Sequence, residues 1–119
     1  MKSLDDKTFM MLFDEGKDLF NQEKIHEAHL IWEKIWKCGD EEARKNIKGF
    51  IQLSGGLLNN SYGKQQAAEY FMIKAKENIK GAGRVPGELD MASVIKKIDD
   101  VSTLNHQGIN CSQSVNISL

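Results

Sequence analysis

The sequence predicts an all-α protein: a compact bundle of about five helices with two repeat-like helical hairpins. Apolar residues recur every three or four positions along most of the chain, which is the period of an amphipathic helix. No segment alternates apolar and polar residues for long, as a half-buried strand would. Pro86 is the only proline, so little interrupts the helical pattern.

The first two helices are predicted near residues 3–22 and 24–38. Ser3 is a suitable N-cap for the first helix, and Gly39 ends the second. The apolar face of the first helix contains Phe9, Leu12, Phe13, Gly16, Leu19 and Phe20. The equivalent face of the second helix contains Ile25, Ala28, His29, Trp32, Ile35 and Trp36.

Three further helices are predicted near residues 40–61, 64–80 and 89–103, and Asp40 is the expected N-cap of the third. The third helix has its main apolar face at Ile47, Phe50, Ile51, Ser54, Leu57 and Leu58. Each glycine on the opposite side of that helix lowers helix stability by roughly 1 kcal/mol relative to alanine. This loss indicates that another helix approaches closely there. These glycines are Gly49 and Gly56. The third helix is therefore expected to be central.

A weak internal repeat relates the first two helices to the next two. An offset of 39 residues pairs Gly16 with Gly55, Leu19 with Leu58, Asn21 with Asn60, Ala28 with Ala67, and Trp32 with Phe71. Each copy has the pattern of a helical hairpin, the unit that stacks in repeat proteins.

Length and composition predict one globular domain at residues 1–104, followed by an irregular polar tail at residues 105–119. The net charge of −1 gives no field that would recruit nucleic acid or an acidic membrane. No apolar run has a membrane-spanning length and no secretory apolar region is present, so a cytoplasmic location is expected. Cys38 and Cys111 do not form a CxxC motif and are expected to be free thiols.

The residues most able to carry chemistry lie on one ridge of the second helix. His26, His29 and Glu33 occupy positions i, i+3 and i+7, which could offer two imidazoles and a carboxylate to a divalent metal such as zinc. The ridge is not an HExxH motif, and a histidine held inside the core by a neighbouring carboxylate or amide explains the same residues. The second explanation predicts that His29 is buried and that its ring nitrogens are bonded to groups such as Glu33 or Gln52.

Several other side chains have both a packing and a binding interpretation. Trp32 and Trp36 are predicted on the core face, with a wall for a stacked ligand as the alternative. Met11 and Leu30 are apolar on polar helix faces and suggest a weak homodimer. No complete catalytic motif is present, so no catalytic residue is assigned.

The run from Gly16 to Gln52 resembles the bacterial and archaeal domain-of-unknown-function family 309. The resemblance rests on Gly16, Leu19-Phe20-Asn21, Ala28-His29, Trp32-Glu33, Trp36 and Gly49-Phe50-Ile51-Gln52. It extends over roughly residues 9–104, including Gly87 to Asp90, and implies a compact helical fold with no established activity. Carried over by position, its polar signature is His29, Glu33 and Gln52. Leu30 departs from the family, which tends to have glutamate beside the histidine.

Two functions follow as hypotheses. The first is a non-enzymatic cytoplasmic module that binds a small ligand, a peptide or a protein partner and needs no cofactor. Its expected binding residues are His29, Trp32, Glu33, Trp36 and Gln52. The second is a metal-binding protein or metal-dependent enzyme that uses His29 and Glu33, with His26 as a further ligand.

Overall fold

Five α-helices follow one another in the computed structural model, which describes residues 5–81 and 91–108 (for residues 6 and 91, the backbone alone). The helices are α1 Asp6–Asn21, α2 Ile25–Cys38, α3 Glu41–Ser61, α4 Gln65–Lys80 and α5 Met91–His106. Within these two described ranges there is no strand. The predicted all-α fold class is confirmed.

Aspartates cap two of the helices. The Asp5 side chain accepts a hydrogen bond from the Thr8 amide at 2.7 Å, so Asp5 is the N-cap of α1; Ser3, predicted in that role, lies outside the described residues. Hydrogen bonding from Thr8 lowers the pKa of the Asp5 carboxyl below its ordinary value. Asp40 caps α3 as predicted, since its carboxylate accepts from the Ala43 amide at 2.9 Å.

Each helix packs against the next one along the chain, and α3 lies at the centre of the array. It makes extensive contact with α2 and α4 and a smaller contact with α5. The ring of Phe50 on α3 also meets that of Phe13 on α1 edge to face, with centroids 5.0 Å apart. The predicted central position of α3 is therefore confirmed.

Close approach between α3 and α4 depends on the two glycines predicted to allow it. A Cβ atom on Gly49 would lie 2.9 Å from the Ile79 backbone nitrogen, and one on Gly56 would lie 2.6 Å from Met72 Cε. Real Cβ atoms are essentially never this close to a neighbour. Glycine lowers the stability of a helix relative to alanine, and at these two positions it is explained by the tight packing of α3 against α4.

The internal repeat is present, but its offset is 40 residues rather than the predicted 39. Helices α1 and α3 end 40 residues apart, and α2 and α4 begin 40 residues apart. In each hairpin the same bond closes the turn: Lys24 N donates to Leu19 O and Lys64 N donates to Asn59 O, both at 2.9 Å. Gly16 against Trp32 therefore corresponds to Gly56 against Met72. The 39-residue offset was wrong because similar residues happen to lie one position from their structural equivalents.

Helix α5 extends past the predicted boundary between domain and tail. The prediction ended the helix at residue 103 and began the tail at residue 105, whereas α5 runs to His106. Asn105 is 1% exposed; it accepts from Asn60 Nδ2 at 2.9 Å and donates to Gln65 O at 2.9 Å. These bonds attach the end of α5 to the α3–α4 turn. Residues 109–119 lie outside the described part of the chain.

Within the described residues, no helix combines the length and the apolar character that crossing a bilayer would require.

Two apolar side chains that suggested a homodimer are exposed, at 64% for Met11 and 48% for Leu30. The dimer remains a prediction: burying both side chains in a contact between two copies would give weak association. Light scattering over a micromolar to millimolar range should show a rising mean mass, and Met11→Lys with Leu30→Lys should abolish the rise. A constant monomer mass throughout that range would contradict it.

Candidate ligand-binding pocket

An open pocket of about 410 Å³ lies over α3 and is also lined by residues of α2 and by Phe71 of α4. Helix α3 forms its floor over about two and a half turns, from Ile51 to Asn59. The lining residues are His26, His29, Leu30, Glu33, Ile51, Gln52, Gly55, Leu58, Asn59, Tyr62 and Phe71. The pocket therefore combines an apolar surface with a few polar groups, as small-molecule and peptide sites do.

Beside the pocket, His29 is held through both ring nitrogens. Its Nε2 lies 2.7 Å from Glu33 Oε1 on the next turn of α2, and its Nδ1 lies 2.6 Å from Ser54 Oγ on α3. The side chains of His29 and Glu33 are 21% and 36% exposed, whereas Ser54 is fully buried. We call these three residues the polar pin, because they join α2 to α3 where the apolar stripe meets the pocket.

Because the Ser54 hydroxyl can rotate, it can hydrogen-bond to the His29 ring in either charge state of that ring. When this hydroxyl donates to Ile51 O, 2.8 Å away, Oγ can accept from a protonated Nδ1, and both ring nitrogens are then donors. When it turns to Nδ1 it donates to a neutral ring whose Nε2 still donates to Glu33. The ring therefore stays bonded whether or not it carries the extra proton.

Two carboxamides on the pocket floor are each only partly engaged. Gln52 Oε1 accepts from Asn78 Nδ2 at 2.6 Å, which leaves its amide N–H groups without a partner among the described residues. Asn59 Nδ2 donates to Gly55 O at 2.8 Å, which leaves its Oδ1 without a described partner. Each amide is thus held at one end, and its other end keeps hydrogen-bonding capacity that no described residue uses.

Three of the five expected binding residues lie at this pocket, and their role in binding stays a prediction. His29, Glu33 and Gln52 all line the pocket, and His29 is bonded to Glu33 as expected. One detail was wrong, because His29 is half-buried rather than buried. Its second partner is Ser54, whereas Gln52 bonds Asn78. Ser54 had one signal in the sequence, since it is a hydroxyl residue inside the apolar face of α3.

Neither Trp32 nor Trp36 lines this pocket, although both were predicted as binding residues. Trp32 is fully buried, and its Nε1 donates to Phe13 O at 3.3 Å. Trp36 was expected on the core face but is 37% exposed. Four residues along a helix turn the side chain by about 40°, which carries Trp36 out of the stripe centred on Trp32. Its ring lies under the Arg44 guanidinium, 5.5 Å from the centroid.

The predicted metal ligands do not come together as a group. Among the described residues, no three His, Cys, Asp or Glu side chains are arranged to hold a metal ion. His26 is exposed, and both nitrogens of His29 already have partners. To coordinate a metal ion, His29 would have to lose its hydrogen bond to Ser54 or to Glu33.

Comparison with known proteins bears on the same part of the chain. Residues 13–70 match the model of the family described as Domain of unknown function (DUF309). The match confirms the resemblance over most of α1, all of α2 and α3, and the first part of α4. It does not reach residues 87–90, which also lie outside the described residues.

No curated protein matches the chain. No solved structure matches it either. The matched segment holds the polar pin and every pocket-lining residue except Phe71. Over residues 13–70, the chain matches the DUF309 family model, in agreement with the resemblance seen in its sequence.

Proposed function

We propose that the protein is a non-enzymatic cytoplasmic module that binds a ligand, peptide or protein partner in the pocket over α3. The observation that carries this proposal is the convergence of His29, Glu33 and Gln52 on one pocket of about 410 Å³. Its apolar lining, which includes Leu30, Leu58 and Phe71, supplies contact area, while the polar groups supply orientation. The exposed thiol of Cys38 is typical of a reducing compartment.

The polar pin supports binding rather than catalysis by Ser54. A serine nucleophile needs access to its substrate, and Ser54 is fully buried with its hydroxyl between Ile51 O and His29 Nδ1. Its role in the proposal is to hold His29 and, through it, Glu33 at the pocket wall. A wall fixed in advance lowers the entropy cost of binding.

A fragment library screened by amide chemical shifts tests this function. We expect fragments to shift the amide signals of His29, Gln52 and Asn59, and to leave those of Trp36 and Arg44 unchanged. In Gly55→Leu the new side chain would project into the pocket, because a Cβ on Gly55 meets no atom closer than 3.9 Å. This variant should remain folded and lose the hits, since leucine is a better helix former than glycine.

Ser93→Leu is the matched control, because it adds the same side chain at an exposed position on α5. It should retain the hits. Fragments that bind elsewhere with equal affinity, or that bind Gly55→Leu as well as the parent protein, would contradict the proposed function.

A further inference from the structure

The glycine on the pocket floor has no packing role, unlike the two that face α4. A Cβ on Gly55 would lie 3.9 Å from His29 Cε1 and 4.0 Å from Phe71 Cγ, which are ordinary contact distances. Alanine would therefore fit the fold and would form a better helix. What glycine provides at this position is bare backbone at the floor of an open pocket, where another chain can approach closely.

The two partly engaged amides flank that bare floor. Gln52 lies three residues before Gly55 and Asn59 four residues after it, so both face the pocket from the same side of α3. Seven residues of α-helix span about 10 Å. About three residues of extended peptide cover the same distance. Gln52 presents donors and Asn59 presents an acceptor, which are complementary to a peptide carbonyl and a peptide N–H.

Charge further restricts the ligand. Among the described residues that line the pocket, Glu33 is the only Asp, Glu, Lys or Arg, and its Oε2 has no described partner. A lysine or arginine of a bound segment is complementary to this carboxylate. The apolar side chains of Leu30, Leu58 and Phe71 can contact the remaining side chains of such a segment.

We propose that the pocket binds an extended peptide segment of a partner protein, laid along α3 over Gly55. A backbone carbonyl of the segment accepts from Gln52 Nε2, a backbone N–H donates to Asn59 Oδ1, and a basic side chain pairs with Glu33. This inference rests on the proposed function, because it names the class of ligand that the same pocket takes.

The test begins with a phage-displayed library of random twelve-residue peptides, selected on the full chain and counter-selected on Gly55→Leu. We expect peptides that share a basic residue flanked by apolar ones. In peptides selected on Glu33→Gln, the preference for a basic residue should disappear. Gly55→Ala should raise the Tm and weaken peptide binding, a combination that a structural role for Gly55 would not produce.

Backbone recognition is measured with a selected peptide whose amide bonds are replaced one at a time by esters, which removes single N–H donors. One replacement should weaken binding to the parent protein about five- to tenfold, the effect of one hydrogen bond. The same replacement should have no effect on Asn59→Ala. Gln66→Ala, which removes an exposed carboxamide on α4 outside the pocket, is the matched control and should behave like the parent protein.

The outcomes separate this inference from the proposed function. If fragments bind the pocket but no peptide is selected, the peptide inference is wrong and the proposed function stands. If peptides bind but no ester replacement couples to Asn59, backbone recognition is wrong. If neither fragments nor peptides bind, both proposals fall.

Discussion

Trp32→Ala should lower the free energy of unfolding by about 3–5 kcal/mol, the range for removing a large buried aromatic side chain. Trp32 is fully buried, and its ring lies 5.7 Å from those of both Phe20 and Phe50. Because these neighbours belong to α1 and α3, the truncation leaves a cavity where three helices meet. The variant also leaves Phe13 O without its indole donor.

Urea denaturation of Trp32→Ala beside Trp36→Ala measures this effect with an internal control. Trp36 is 37% exposed and contacts Arg44, so its loss should cost about 1 kcal/mol or less. Similar losses for the two variants would contradict the assignment of one tryptophan to the core and the other to the surface.

His29→Ala should cost about 2–4 kcal/mol, from the cavity and from polar partners left without their bonds. Removal of the ring takes away the contact between α2 and α3 that runs through Ser54, and it leaves the Glu33 carboxylate without its nearest partner. Glu33→Gln keeps the shape and an acceptor for His29 Nε2, so it should cost much less. Thermal unfolding of both variants measures the difference.

Chelator and metal analysis distinguish the polar pin from a metal site. With a polar pin, chelator should leave the Tm of the parent protein and of both variants unchanged, and purified protein should lack stoichiometric metal. A chelator that destabilises the parent protein and neither variant would show that a metal is bound and that the polar-pin interpretation is wrong.

The helices, and the close packing on one side of α3, followed from the sequence because both leave local signals in it. Apolar spacing located the five described helices. Gly49 and Gly56, which lower helix stability, indicated that another helix packs closely there, and the structure identifies that helix as α4. The repeat offset was wrong by one residue because the hairpins are aligned by their turns. Glu23 and Gly63 take positive φ angles of 66° and 77°, and only one of them is the glycine that such a turn favours.

The site was predictable only where it lies within one helix. The pair of His29 and Glu33 follows from i, i+4 spacing, whereas the bond to Ser54 joins residues 25 positions apart. That bond depends on how α2 is rotated against α3, which periodicity does not define closely. The same uncertainty of a few tens of degrees placed Trp36 in the core, although it lies at the surface.

The most direct test of the binding site is isotope-filtered NOE spectroscopy on labelled protein saturated with a selected peptide. We expect intermolecular NOEs from the peptide to the side chains of Leu58 and Phe71 and to the Gly55 α protons. A complex whose NOEs involve Met11 or Trp36, and none of these three residues, would contradict the assignment of the α3 pocket as the binding site.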